Sequence, residues 1–163
     1  MRPAESMERS TSTFPSLGWF RELAVRMAGD PAKYKRLGAL DLTLVPRIVF
    51  PDGHAEHYSL VFEGHACRSV EQAARPDEVR GRHPVMIEGD YQAWREMVEN
   101  IRRNGHADLQ HTLNYLTLPD WPLRLVPLDE AAGQLDVDRF YRFNDSLQSF
   151  FDEASGIDTR YVA

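Results

Sequence analysis

His54-Ala55-Glu56-His57 is the nearest approach to a metal motif in this sequence. Zinc takes three or four convergent nitrogen, sulfur or oxygen ligands. On a strand, His54 and Glu56 share one face while His57 points to the other, so the three converge only if the backbone bends. His65 and Cys67 offer two further donors one strand later. The group abuts the Pro51-Asp52-Gly53 turn, so a solvated hairpin end is preferred and no metal or other cofactor is expected. Cys67 as a nucleophile needs a base, and His65 and His57 are its candidates. A lone strand cysteine is more simply a small buried hydrophobe. Among the carboxylates, Asp90 reads as a helix cap, while Glu96 and Glu99 fall on a polar helix face. Glu88 alone stands near a strand end, where a side chain could face a cavity as a general base. His106 and His111 are aligned by neither helical nor strand geometry. No phosphate loop, dinucleotide fingerprint or Gly-x-Ser-x-Gly elbow is present. No catalytic residue is assigned.

The elements that would position these groups follow from periodicity. Residues 1–13 are polar and read as a disordered N-terminal tail, with one α+β domain over 14–163. Ser16 caps a helix running to residue 28 with Leu17, Phe20, Leu23, Ala24 and Met27 on one face, and Asp30-Pro31 opens a shorter one. From Asp41 to Phe50 the chain alternates, with Leu42, Leu44, Ile48 and Phe50 on one face. Pro46 in the middle suggests an edge strand or a bulge. Pro51-Asp52-Gly53-His54 turns into a return strand over 56–62, and a third strand follows over 65–70. Pro84-Val85-Met86-Ile87-Glu88 is apolar enough for a buried fourth strand. The helix over 90–103 is the clearest, with Tyr91, Trp94, Met97, Val98 and Ile101 on one face and Asn104-Gly105 as its stop. Leu123 to Val126 is a candidate fifth strand. A last helix is expected over 138–154, where Phe140, Phe143, Leu147, Phe150, Phe151 and Ala154 form one stripe. Five of the chain's aromatic residues fall within 12 positions there. Such a stripe must cover a sheet, a ligand or a partner. The predicted fold is α+β, a mostly antiparallel sheet of about four to five strands covered by helices.

Composition narrows the function. Nineteen basic against 25 acidic side chains leave a net charge of −6. No basic stripe with interleaved aromatics offsets that charge, so no nucleic-acid partner is expected. No apolar run approaches the ~20 residues of a membrane span. The single cysteine permits no internal disulfide, and a cytoplasmic location fits. Arginine supplies nearly all of the basic residues, which suits a GC-rich bacterial genome.

The order of elements resembles the sterol carrier protein 2 type lipid-binding domain. The likeness runs over residues 14–126: an N-terminal helix (Leu17 to Ala28), a strand meander, and a fourth strand entering an acid-capped helix (Val85-Met86-Ile87-Glu88-Gly89-Asp90-Tyr91-Gln92-Ala93-Trp94). It implies a carrier of apolar ligands or a fused accessory module, and it assigns no individual site residue. The leading expectation is therefore non-enzymatic binding of a fatty-acyl, sterol or similar lipid in an internal cavity. Its expected wall residues are Leu44, Tyr58, Leu60, Phe62, Trp94, Met97, Ile101 and Leu113. Two alternatives stand beside it. One is a small cone-shaped isomerase or hydratase with Glu88 or a histidine as base. The other is an accessory module whose aromatic stripe packs on a second copy to form a homodimer.

Overall fold

Local signals set most element boundaries in this computed structural model, which describes residues 10–162. Helix α1 (Leu17–Ala28) starts where the Ser16 hydroxyl accepts the Trp19 N–H at 3.0 Å. Helix α2 (Pro31–Leu37) starts behind Asp30, which accepts the Lys33 N–H. Strands β2 (Leu40–Val49) and β3 (Ala55–Gly64) form a hairpin whose turn places Gly53 at φ +92°. Only glycine adopts such a conformation without strain. β3 passes straight into β4 (Ala66–Ala73), and β5 (Pro84–Asp90) into α3 (Tyr91–Asn104). Asp90 occupies the cap position of α3, but its side chain makes no capping hydrogen bond.

With β6 (Arg124–Pro127), five strands form one sheet in the order β4-β3-β2-β5-β6. Neighbours are antiparallel except β2 and β5, which are parallel in the register Leu44↔Val85 and Arg47↔Glu88. The fold is α+β with a mixed sheet. Pro46 does not mark an edge: β2 is the central strand. The β2–β3 pairing lapses at Val45 and Pro46, where the proline has no N–H to donate, and resumes at Arg47↔His57.

Alternation gives the sheet two unlike faces. Leu42, Leu44, Ile48, Tyr58, Leu60, Phe62, Val85 and Ile87 point inward, into one apolar cluster with the helices. Val45, Met86 and Thr43 are buried on the outer face, and the connection from residue 74 to residue 83 forms a strap over Thr43. Gly81 in that strap lies so close to Thr43 that any side chain there would collide with it.

The terminal helix is two helices, α5 (Gly133–Arg142) and α6 (Asn144–Asp152), with a break at Phe143. The halves have different partners. α5 lies on β6, β5 and β2, while α6 lies on α1, α2 and the short helix α4 (Leu113–Leu116). The bend keeps the stripe covered: Phe140, Leu147, Phe150, Phe151 and Ala154 are all buried, and Phe143 half so. The stripe is thus filled by the chain's own core.

Residues 10–13, expected within a disordered tail, are not irregular. Strand β1 (Ser10–Phe14) pairs in parallel with β7 (Ile157–Tyr161), from Ser10↔Ile157 to Phe14↔Tyr161. The rest of that tail, residues 1–9, lies outside the described residues. The pair is tied to the helices where Trp19 Nε1 donates to Thr159 Oγ1 at 3.0 Å and Tyr91 Oη to the Val162 carbonyl at 3.0 Å. Among the described residues no helix is long and apolar enough to cross a membrane.

Candidate functional site

Leu44, Tyr58, Leu60, Phe62, Trp94, Met97, Ile101 and Leu113 do meet, from β2, β3, α3 and α4, and all are buried in one cluster. Aromatic rings pack against them. Phe62 and Phe150 pack edge to face with centroids 5.0 Å apart, Phe20 covers Tyr58 at 4.6 Å, and Trp94 lies 6.1 Å from Phe151. The polar ends are satisfied as well. Trp94 Nε1 donates to the Arg47 carbonyl at 3.2 Å and Tyr58 Oη to Glu56 Oε1 at 2.7 Å. The hollows at the surface are lined by other residues.

One of these hollows is an open groove of about 580 Å³ with mixed polar and apolar lining, between the 117–123 segment, β6 and α5. Leu118, Trp121, Leu123, Leu125, Val137 and Tyr141 line it. Leu118, Trp121 and Tyr141 remain 38–40% exposed. Its walls are held by local bonds. Thr117 Oγ1 donates to the Leu113 carbonyl at 2.8 Å, and the Trp121 N–H donates to the Leu118 carbonyl at 3.0 Å. Asp120 takes up the left-handed backbone at the tip, φ +70°. Trp121 stands edge-on to Tyr115, centroids 4.6 Å apart. The floor is Leu123, seated over Gly89 where any Cβ would collide with it. Behind it the chain runs back to Leu113, the nearest in sequence of the expected wall residues. Thr117 and Arg124 supply polar groups at the rim. Sequence reasoning missed this groove. Its signal was the alternation of prolines and large apolar residues in Leu118-Pro119-Asp120-Trp121-Pro122-Leu123, which first reads only as a frame for a short strand.

The groups considered for chemistry are scattered. His57, Arg47, Glu88 and Arg124 form a row across four strands on the outer face. Arg47 Nη1 donates to His57 Nε2 at 2.7 Å, Arg47 Nε lies 2.9 Å from Glu88, and Arg124 Nη2 lies 3.1 Å from it. Glu88 is therefore committed to two guanidiniums, which leaves neither oxygen free for general-base work. Burial, then the Arg47 charge, holds the His57 imidazole below its ordinary value. With Nε2 accepting from Arg47, the neutral ring carries its proton on Nδ1. His54 turns instead to the Asp52 carboxylate at the hairpin end. Burial pushes the Cys67 thiol up to about 12, against a smaller opposing effect of its contact with the Ser69 carbonyl. A thiol so placed is a poor nucleophile at neutral pH. Among the described residues no three His, Cys, Asp or Glu side chains gather as metal ligands.

A second hollow of about 390 Å³ lies under the strap, floored by Ser59, Val61 and Ala73 and roofed by Val79 and Arg80. One charged side chain is unusual. Asp136 on α5 is 1% exposed, and neither carboxylate oxygen has a hydrogen-bond donor among the described residues. His83 Nδ1 lies 3.5 Å from it, and the ring's Nε2 lies 3.6 Å from Asp41.

No family model matches this chain, and no curated protein matches it. Two solved structures do. Sterol carrier protein 2 superposes with a TM-score of 0.59 at 16% identity, covering 86% of this chain and 95% of that one. A conserved hypothetical protein of Thermus thermophilus, given as a candidate sterol carrier protein, superposes with a TM-score of 0.57 at 17% identity, covering 91% and 96%. At these identities the likeness is one of fold, and the fold is that of sterol carrier protein 2.

Proposed function

We propose that this chain, built on the sterol carrier protein 2 fold, binds or carries an apolar ligand of fatty-acyl, sterol or similar lipid type. The observation that carries the proposal is the groove beside Trp121. It is a hollow of ligand size in which apolar side chains, Leu118, Trp121 and Tyr141 among them, stand exposed beside the polar Thr117, Asp120 and Arg124. The ligand lies in this groove first. The eight interior residues form the packed wall behind it, reached only by displacing side chains near Leu113.

Magnitudes set what such a site holds. About ten buried methylenes gain about 8 kcal/mol, against about 4 kcal/mol or more for lost translation and rotation. The remainder corresponds to about millimolar binding. Tighter binding needs a longer chain or a polar handle, and Arg124 and Thr117 at the rim offer one.

The test is mass spectrometry of an organic extract of the purified protein, with titration of a fluorescent fatty-acyl probe against wild type and Trp121→Glu. Lipid in the extract, saturable probe binding and its loss in Trp121→Glu are expected. Because Trp121 packs edge-on against Tyr115, the far-ultraviolet spectrum of Trp121→Glu is compared with wild type before its binding is read. An empty extract together with no saturable signal would overturn the proposal.

A further inference from the structure

The hollow under the strap, about 390 Å³, has a floor set by strand register. Ser59 stands opposite Glu71 and Val61 opposite Ser69, while Leu60 and Val70 between them belong to the interior cluster. Alternation therefore turns these four side chains to the outer face. The roof is anchored on both sides of Val79 and Arg80. Before them, Glu78 Oε1 accepts the Ala74 N–H at 3.0 Å and the Arg75 N–H at 3.3 Å. After them, Gly81 rests on Thr43 with no room for a side chain.

The polar groups of the hollow are unevenly committed. Ser59 is 5% exposed, yet among the described residues its hydroxyl has no hydrogen-bond partner, and it lines the hollow. A hydroxyl buried this far is ordinarily bonded. The Ser69 hydroxyl and the Gln72 amide, which also line the space, have no partner among the described residues either. Arg80 in the roof makes no ion pair among them. The two carboxylates of the lining are engaged elsewhere. Glu78 holds the two backbone N–H groups and lies 3.9 Å from the Arg75 guanidinium, and Glu71 lies 3.9 Å from that of Arg21. What remains uncommitted is one positive charge and a set of donors, with Val61 and Val79 as apolar contacts between floor and roof.

We infer that this hollow binds a compact organic carboxylate. Its anionic end meets the Arg80 guanidinium and the Ser59 hydroxyl, and its apolar body lies against Val61 and Val79. A guanidinium presents paired N–H donors in the plane that a carboxylate accepts. The volume stands at the small end of ligand sites, which favours a compact anion over a long acyl chain. The hollow shares no lining residue with the groove beside Trp121, so the inference stands apart from lipid binding there.

The experiment is a titration of the full chain with benzoate, followed by nitrogen–proton NMR up to about 10 mM ligand, with neutral benzamide as the control. Saturable shifts of the Ser59, Val61, Gln72 and Val79 amides are expected with benzoate. Benzamide should bind about tenfold more weakly or worse, because it lacks the charge. Arg80→Gln should weaken benzoate about tenfold, and Ser59→Ala about threefold. Arg80 is exposed, and the dispersion of each variant's spectrum verifies its fold. Trp121→Glu should leave benzoate affinity unchanged, which separates this site from the groove. No saturable shift at those four amides, equal affinity for the two compounds, or full affinity in Arg80→Gln would overturn the inference.

Discussion

The two faces of the central sheet solve the problem of burial differently. On the inner face Phe62, Phe150, Trp94 and Phe151 interlock where the helices cover the sheet. On the outer face a strap of irregular chain crosses the strands, pins itself on Thr43 through Gly81, and leaves a hollow beneath Val79. Beside it runs the His57–Arg47–Glu88–Arg124 row, polar where the inner face is aromatic. The difference teaches where stability and openness reside. The residues expected as a ligand wall from their apolar character belong to the buried cluster under the helices. Exposed apolar side chains lie instead at the margin, where β6 and α5 leave Trp121 38% exposed.

The largest effect should separate the two faces directly. Phe150→Ala on the inner face is expected to cost about 3–5 kcal/mol in urea unfolding. A double-mutant cycle with Phe62→Ala should return about 0.5–1.5 kcal/mol of coupling from the edge-to-face pair. Val79→Ala in the strap should cost about 1 kcal/mol or less. Equal costs would erase the contrast.

A smaller loss is expected from the polar row. Glu88→Gln leaves the half-buried Arg47 guanidinium short of its counter-charge and should cost about 1–2 kcal/mol. A cost near zero would mark the row as surface ornament and place all stability inside. The same result without any loss of probe binding would also separate Glu88 from ligand recognition.

The smallest effect is a slope. Because burial and Arg47 hold His57 below its ordinary value, the unfolded chain takes up that proton first as pH falls. Stability contributed by the neutral, buried ring is present above the ordinary histidine range. It is lost as pH falls through that range towards the lower folded-state value. Unfolding free energies measured from about pH 7 to about pH 5 should therefore decline less steeply in His57→Gln than in wild type. Parallel slopes would remove His57 from the account of the outer face.

Much of this architecture was legible in the sequence. The helix over 91–104, the hairpin at Gly53 and the buried run at Val85–Ile87 each follow from spacing and a turn residue. What was hidden depends on pairing across long separations. Ser10–Phe14 is short and polar, and nothing local shows that its partner is Ile157–Tyr161 at the other end of the chain. Pro46 signalled an edge because a proline cannot donate to a ladder, yet the sheet tolerates one lapse in the middle of β2. Phe143 carries no proline or glycine signal, and the break there reflects two sets of partners rather than a local preference. The outer-face row needs the register of four strands at once, which no stretch of sequence states. The groove needed the position of α5 relative to β6, for the same reason. The eight residues expected as a ligand wall are buried together in one cluster. Periodicity does not tell a lined cavity from a filled one.

That distinction is also where the account is most exposed. Trp121 lines the groove and Trp94 lies buried in the interior, so tryptophan emission reports which of them a ligand meets. The measurement is a titration of a long-chain fatty acid against wild type, Trp121→Phe and Trp94→Phe. A ligand in the groove predicts a saturable emission change that Trp94→Phe retains and Trp121→Phe loses. A change that survives in Trp121→Phe and vanishes in Trp94→Phe would put the ligand among Leu44, Phe62 and Met97, and contradict the groove as its site.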